Sequence, residues 1–526
     1  MKFLGMELSI SKTIIYVYDE DTKIEELVYN QSSVCIVPNG NQKKYYFGKE
    51  CFKEEISGHY TFKSMYFEKN PVTIKEYIKY LFAKIKDKIR GEFNISYFVI
   101  NRYPNSNIFD QVMSDLISSN QEFSNVKLLF NDSIKLLNIE LASLLYKNRD
   151  VKASNILTMN LDDFSYDYSI FYYDGVSNVP QTDKILFDLN FTNSTSSDLF
   201  SNIGLYAFLF KMLESAIRRT DTDLKIKLSD FNNNEDKLCT SQLFYKIIYA
   251  LAKNIGENIN AFYKVINKPT LKINYESGGK KCTIDLSYED YNYALNEIVY
   301  SKYGLRKSLL NAKKELDKKH IGYKLIPYGS FYSIVEIKAL VDQIFGKDNI
   351  ITLKYLDNKE MMDSDSFTHV AKGAIESTKL TYEGDIPSVS FINYDNSEIE
   401  IICGSSNIKK RTNLLLSTTL SGLPFYVLNK EFSIPLAIQT DEAYLKNNAS
   451  KIRIGDKEIS LYDYLYNKEN YRLLSLTNIV DSKDWQEAKL RIGLIKNRDK
   501  NPSIVFDLYN DKNRYKYEFI VEMEGL

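Results

Sequence analysis

Two hairpin-like stretches contain the residues whose types and spacing could support chemistry. MELSISKT (residues 6–13) and NLDDFSYDYSI (residues 160–170) each connect strand-like runs, rich in β-branched or aromatic residues, through a short polar turn. Backbone amides of tight turns can hold a phosphate group, and glycine usually permits the close approach that this needs. Neither stretch contains glycine. The pattern therefore predicts one hairpin used twice, with its phosphate-binding chemistry altered in both copies.

Two carboxylates in the second turn have two interpretations. Asp162 and Asp163 fit an ordinary polar hairpin turn, where aspartate is common. If the turn instead faces a phosphate, a carboxylate about 4 Å from a phosphate oxygen repels it by roughly 4 kcal/mol at an effective dielectric constant near 20. Both interpretations predict weak phosphate binding at this turn.

Composition limits the class of protein and its partners. At 526 residues the chain is too long for one hydrophobic core, which predicts two or more domains. Its 68 Lys and Arg residues nearly balance its 69 Asp and Glu residues, and the net charge is -1. The sequence shows no concentrated basic stripe. We therefore expect neither nucleic acid nor a membrane as a partner.

Cysteine, histidine and hydropathy patterns predict a cytoplasmic protein without a metal site. The cysteines lack CxxC spacing and the histidines are far apart in the sequence, so reduced thiols and no metal ligands are expected. These residues are Cys35, Cys51, Cys239, Cys282, Cys403, His59, His320 and His369. The start, MKFLGMELSI, lacks an apolar run of signal-peptide length, and no stretch approaches the roughly 20 apolar residues of a membrane span.

The order of predicted elements indicates an α/β body followed by an all-β region. Strands alternate with amphipathic helices in the first third, which predicts a mostly parallel sheet flanked by helices. The second hairpin is followed by the same plan, including one long helix over residues 288–316, the strand YKLIPYGS (residues 323–330) and the helix SIVEIKALVDQIFG (residues 333–346). Strand-like runs dominate after Pro387, and the polar residues Gly384 and Asp385 help mark the boundary.

In this order the segments resemble the DnaK-type 70 kDa heat-shock chaperones, in which an actin-like ATPase domain precedes a β-sandwich that holds peptides. The two hairpins correspond to the family's phosphate loops. The other matching segments are FGKECF (residues 47–52, with Gly48 matching), TFKSMYFEK (residues 61–69), FNDSIKLLNIELASLLY (residues 130–146, with Asp132 in place of the acid), LIPYGSFYSIVEIKALV (residues 325–341, the nucleoside segment) and VAKGAI (residues 370–375).

The resemblance implies a fold and domain bounds. It predicts a two-lobed actin-like ATPase (ribonuclease H-like) α/β fold over residues 1–380, followed by an all-β sandwich at 388–526 without a helical lid. Lobe I would cover about 1–178 plus 355–380, and lobe II about 179–354. The linker between the domains would be LTYEGDIPSVSF, which is polar, whereas the family's linker is rich in leucine.

Site residues are implied only by the resemblance. Glu7 replaces the aspartate that orients magnesium, Asp167 matches the family's second aspartate, and the spacing leaves Lys63 and Tyr66 both possible for the catalytic lysine. Nucleotide-binding candidates are Ser9, Ser11, Lys12, Ser165, Gly329 and Ser330. The implied cofactors are ATP and magnesium, if the site is active.

Departures from the family pattern weaken that implication. Asn160 replaces the first aspartate of the second loop, and Asp162, Asp163 and Phe164 occupy its glycine positions. Tyr328 and Tyr332 replace a glycine and the arginine expected near adenine. Our leading hypothesis is a chaperone-like protein that binds protein or peptide partners through the C-terminal β domain, with weak or absent nucleotide control. The alternatives are an active ATPase with rebuilt phosphate contacts and an actin-like filament or scaffold protein.

Overall fold

The computed structural model describes part of the chain. The described residues are 2–8, 12–19, 21–22, 25–31, 33–52, 61–65, 68, 70–88, 95–101, 112, 115–116, 127–131, 153–161, 166–173, 191–193, 203–219, 271–277, 280–329, 331–351, 371, 375, 380–382, 387–392, 396–402, 411–418, 424–428, 432–435, 451–460, 487–495, 503–509 and 516–522. Two compact units are present. Unit 1 comprises Met1–Leu145, Ser154–Ile170 and Asp188–Ile375, and unit 2 comprises Tyr146–Ala153, Phe171–Phe187 and Glu376–Leu526.

The first 350 residues contain both strands and helices. The strands are β1 (Lys2–Leu8), β2 (Lys12–Asp19), β3 (Glu25–Gln31), β4 (Ser33–Asn39), β5 (Gln42–Phe47), β6 (Thr61–Ser64), β7 (Ile95–Asn101), β8 (Lys127–Asn131), β9 (Ser154–Leu161), β10 (Tyr166–Tyr173), β11 (Phe191–Asn193), β12 (Leu271–Ser277), β13 (Lys280–Leu286) and β14 (Lys324–Tyr328). The helices are α1 (Pro71–Lys88), α2 (Leu205–Arg219), α3 (Tyr288–Ala294), a π-helix (Leu295–Tyr300), α4 (Leu305–Lys318) and α5 (Val335–Phe345), with short 3-10 turns at Gly48–Phe52, Phe331–Ser333 and Lys347–Asn349.

The first sheet has the order β3-β2-β1-β7-β8. Its first three strands form an antiparallel meander, whereas β7 runs parallel to β1 and β8 runs parallel to β7. Helix α1 packs on this sheet because its apolar residues recur at helical spacing, and Asn70 caps its N-terminus by accepting a hydrogen bond from the Val72 amide at 2.9 Å. The shared core comprises Leu4, Met6, Ile15, Val17, Ile74, Tyr77, Ile78, Leu81 and Ile85.

The second sheet repeats this order. Its strands run β11-β10-β9-β14, and Ile350 continues the sheet beyond β14 through a parallel bridge to Leu325. As in the first sheet, an N-terminal hairpin strand, here β9, pairs in parallel with the strand that follows the helical connection. Ile351 donates its amide to the Leu325 carbonyl at 2.8 Å. The predicted reuse of one plan is therefore visible in the strand order.

The prediction of one long helix over residues 288–316 is wrong, because the helical conformation is interrupted between Ser301 and Gly304. The π-helix follows α3 directly, Ser301 is extended, and α4 begins after Gly304. A Cβ atom at Gly304 would lie 2.6 Å from the Val299 carbonyl oxygen, so the chain folds back on the end of the π-helix. The apolar spacing continues through the break, which is why periodicity alone does not reveal it.

A buried carboxylate joins α2 to α3. Asp290 is fully buried and accepts hydrogen bonds from Arg219 Nη2 at 2.8 Å, Ser215 Oγ at 2.7 Å and the Ser287 amide at 2.8 Å. Ser287 caps α3 in return, forming a capping box with Asp290. Burial by itself would raise the pKa of Asp290, but these hydrogen bonds, led by that of Arg219, lower it below its usual value.

Two smaller sheets complete this part of the chain. One has the order β5-β4-β6, and the other is the antiparallel pair β12-β13.

The described residues after Glu376 form strands and turns. The strands are β15 (Leu380–Tyr382), β16 (Val389–Ile392), β17 (Glu398–Ile402), β18 (Arg411–Thr418), β19 (Pro424–Val427), β20 (Phe432–Pro435), β21 (Lys451–Ile454), β22 (Lys457–Ser460), β23 (Glu487–Ile495), β24 (Ser503–Tyr509) and β25 (Lys516–Glu522). One sheet has the order β15-β18-β19-β23-β24-β25 with β20 beside β23, and the other has the order β17-β16-β21-β22.

Part of the predicted linker belongs to a sheet. Leu380–Tyr382 forms β15 and pairs with β18 in antiparallel fashion, because an extended segment can complete its backbone hydrogen bonds on that strand. The boundary residues Gly384 and Asp385 lie outside the described residues, and the domain bounds stay a prediction.

Candidate functional site

Polar residue types line up at the carboxyl edge of the first sheet. Glu7 of β1 is in register with Asn101 of β7, and Asn101 is in register with Asn131 of β8. The β1–β2 hairpin closes just beyond this row, where Leu8 pairs with Thr13. Ligands of open α/β sheets bind outside the carboxyl ends of parallel strands. This edge is therefore the candidate site of the first sheet.

The carboxyl edge of the second sheet is formed by the ends of β9 and β14. Tyr328 is in register with Asn160, and Leu161 ends β9 immediately before the turn at 162–165, which lies outside the described residues. Asn160, Leu161 and Tyr328 are each at most 2% exposed. The structure therefore brings together Asn160 and Tyr328, which are 168 residues apart in the sequence and belong to the segments predicted as the second loop and the nucleoside segment.

Gly329 makes the contact between these two strand ends. Its φ is +103°, in the region that favours glycine, and a Cβ atom there would lie 2.3 Å from the Leu161 carbonyl oxygen and 2.8 Å from Asn160 Oδ1. Only a residue without a side chain allows this backbone approach. The glycine implied by the resemblance therefore has a physical reason in this chain.

Aromatic residues follow Gly329 in the chain. Phe331 is fully buried and packs against Phe208 with ring centroids 6.0 Å apart, and Phe208 meets the edge of Tyr291 at 5.3 Å. Burial raises the pKa of the Tyr332 hydroxyl, and Asp342 adds to the rise. Tyr332 is thus neutral at physiological pH, where the resemblance would place an arginine.

Ala371 and Ile375 of the VAKGAI motif pack on the first hairpin. Ala371 and Ile375 are buried against Phe3, Ile14 and Tyr16. A Cβ atom at Gly5 would lie 1.9 Å from the Ala371 carbonyl oxygen. Gly5 therefore permits the segment to lie directly on β1.

The remaining predicted site residues fall at separate places. Lys12 begins β2 opposite Gln31, Lys63 lies in β6 opposite Val34, and Asp167 lies in β10 opposite Thr192. The candidates outside the described residues are Ser9, Ser11, Ser165 and Ser330, together with the alternative Tyr66. Of the candidates, Glu7 and Lys12 share a hairpin, and Asp167 and Gly329 share the second sheet. The roles of all of them stay predictions.

Sequence reasoning missed Asn101 and Asn131. Each ends a strand-like run, ISYFVIN and KLLFN, and a polar residue at that position was the available signal. Within the described ranges no group of three or more His, Cys, Asp or Glu side chains could hold a metal ion. Likewise, none of the described helices is long and apolar enough to cross a membrane.

Comparisons with known proteins find similar solved structures but no match to a protein family or a curated protein. Among solved structures it is similar to an archaeal actin homolog, at 12% sequence identity, over 71% of this chain and 98% of that chain, with a TM-score of 0.39. This score is too low to establish a shared fold. What the chain's own sheets establish is a mixed α/β protein rich in strands.

Proposed function

We propose that the protein is a divergent relative of the DnaK-type chaperones that binds protein or peptide partners and has little or no affinity for nucleotide. The junction of β9 and β14 supports this most directly. Gly329 permits close contact between the end of β9 and the chain after β14, which belong to the two predicted nucleotide segments. The nearby positions are occupied by Tyr328 and by Tyr332, which is neutral. A glycine that permits close backbone approach, with tyrosines at positions 328 and 332, supports a site that has lost most of its affinity for nucleotide.

The doubled sheet order supports the two-lobed actin-like fold within this proposal. Each sheet begins with a hairpin whose first strand pairs in parallel with a later strand, so two loops follow the carboxyl ends of β1 and β9. Such loops are where a nucleotide's phosphates would lie. In the second loop Asp162 and Asp163 would repel those phosphates.

Partner binding in this proposal belongs to unit 2. Strand β25 is the last strand in the order of its larger sheet, and β17 and β22 are the end strands of the smaller one. An extended peptide can pair with the backbone of such an end strand, and alternate side chains then give specificity. A chaperone-like client would be an extended, partly apolar segment.

A working ATPase is the second candidate, and the row Glu7–Asn101–Asn131 favours it. Carboxylate and amide oxygens suit magnesium and its waters. In that case Ser9, Ser11, Lys12 and Ser165 would contact phosphate, Glu7 or Asp167 would place magnesium, and Lys63 would act in catalysis. Positioning and charge neutralisation would then promote transfer of the phosphoryl group to water.

Peptide binding measured with and without nucleotide tests the proposal. Fluorescence anisotropy with labelled, extended apolar peptides on the full chain should give the same affinity in the absence and presence of magnesium-ATP, because the polar LTYEGDIPSVSF segment has a single leucine, Leu380, where the family's linker has several. A several-fold change on adding ATP would show nucleotide control and favour the second candidate. Failure of every peptide to bind would contradict the chaperone-like function itself.

A further inference from the structure

An exposed basic and aromatic surface lies on unit 1 at the start of α4. We call it the Tyr303 surface and define it by Lys302, Tyr303, Arg306, Lys307, Leu310 and Lys314. Tyr303 is 80% exposed and Leu310 is 40% exposed, both unusual for large apolar side chains on a packed helical unit. The four basic residues are exposed as well. These residues play no part in the proposed nucleotide or peptide sites.

The backbone under this surface is held in place. Gly304 donates its amide to the Ser301 carbonyl at 2.9 Å and packs on the last carbonyls of the π-helix. Leu305 and Leu309 are almost fully buried and pack α4 against the core. Tyr303 is therefore presented from a constrained turn, and little conformational entropy would be lost when a partner orders its side chain.

Charge is concentrated here although the whole chain is nearly neutral. The stretch 300–314 has no Asp or Glu, and its basic residues are Lys302, Arg306, Lys307, Lys313 and Lys314. Lys313 is paired with Asp317 one helical turn later. The other four basic residues form no ion pair with any described residue. This short stretch therefore carries a local excess of positive charge within a nearly neutral chain.

The pattern fits an acidic protein segment better than lipid or nucleic acid. The apolar residues Leu305, Leu309 and Leu316 face the core, so α4 has no apolar face to insert into a bilayer. Lys302 Nζ lies 5.2 Å from the Tyr303 ring centroid and covers a ring face on which a base would stack. Exposed Tyr and Arg side chains surrounded by charge are typical of protein-binding hot spots.

We propose that the Tyr303 surface docks an acidic segment of a partner protein, with Tyr303 and Leu310 contacting an apolar side chain of that segment and the basic residues pairing with its carboxylates. This docking goes beyond the proposed peptide binding by unit 2 and does not depend on it. Charge complementarity would speed association and make it sensitive to salt.

Selection and matched variants test the proposal on the full chain. A random library of peptides about 12 residues long is selected against the protein, and affinities of the selected peptides are measured by anisotropy. The test variant combines Tyr303→Ala, Lys307→Gln and Lys314→Gln. The control combines Val72→Ala, Lys75→Gln and Lys79→Gln, which remove one exposed apolar side chain and two exposed lysines from α1, where Lys79 is paired with Glu76. Circular dichroism melting verifies that both variants fold.

We expect peptides rich in Asp and Glu around an apolar residue to be selected. Their affinity should fall about tenfold or more in the test variant and in raised salt, and less than about twofold in the control. Selection of neutral or basic peptides only, or equal affinity for the wild type and the test variant, would overturn the proposal. The proposal would also be overturned if an oligothymidylate or phosphatidylserine vesicles bound more tightly than the peptides and this binding were lost in the test variant.

Discussion

Replacing Gly329 by alanine should strongly destabilise unit 1. The φ of +103° is unfavourable for any side chain, which costs roughly 1–2 kcal/mol. The added Cβ atom would also lie 2.3 Å from the carbonyl oxygen and 2.6 Å from the carbonyl carbon of Leu161, which is backbone of a buried strand. Separating β9 from β14 enough to relieve this overlap should add about 1–3 kcal/mol. The sum is about 2–5 kcal/mol, a large part of a typical folding free energy.

Thermal unfolding followed by circular dichroism measures this effect, and two control variants separate its parts. Gly40 has a φ of +58° with no atom within 4 Å of a Cβ position, so Gly40→Ala reports the backbone penalty alone. Gly322 has neither a positive φ nor a close atom, so Gly322→Ala should change little. We expect Tm to fall by about 4–10 °C for Gly329→Ala, by a few degrees for Gly40→Ala and hardly at all for Gly322→Ala.

The ranking of the three variants decides whether the reasoning holds. If Gly329→Ala melts within error of Gly40→Ala, the contact between Gly329 and the end of β9 is absent. If the Tm of Gly329→Ala instead equals that of Gly322→Ala, the backbone conformation at Gly329 is wrong as well.

Two further predictions concern unit 1. Gly5→Ala should destabilise the protein by about 2–4 kcal/mol, because its Cβ atom would overlap the Ala371 carbonyl; a Tm equal to that of the wild type would place VAKGAI elsewhere. Asp290→Asn should cost about 3 kcal/mol at neutral pH by breaking the buried pair with Arg219. Folding lowers the pKa of Asp290. The stability that its ionised carboxylate contributes is therefore complete above the unfolded-state pKa of about 3.9 and is lost as pH falls through the lower folded-state pKa. The difference in stability between wild type and Asp290→Asn should therefore shrink in acid, and a difference independent of pH would contradict the ionised state.

Elements with strong local signals could be predicted from the sequence. The pattern of YKLIPYGS predicted the strand β14 and the apolar spacing of SIVEIKALVDQIFG predicted the helix α5, and the structure confirms both. The break before Gly304 could not be predicted, because apolar residues keep helical spacing across it and one glycine is a weak stop signal. Part of the predicted linker became β15 because β18 supplies its hydrogen-bond partners, a contact that no local pattern contains.

The candidate site was predictable in residue type and not in arrangement. Gly329 was identified from a motif, but its contact with Leu161 depends on the parallel pairing of β9 and β14. The row formed by Glu7, Asn101 and Asn131 likewise arises only when three strands far apart in sequence align. Register between distant strands is a tertiary property, so a single sequence does not contain it in readable form.

Calorimetric titration of the full chain with magnesium-ATP tests the central claim most directly. The account predicts weak binding, with a Kd no tighter than about 1 mM, or no measurable heat, because acidic residues occupy the glycine positions of the second loop and Tyr332 is neutral. If weak binding is seen, Asp162→Gly combined with Asp163→Gly should tighten it. A sub-micromolar affinity accompanied by release of inorganic phosphate would contradict the account and establish a working ATPase.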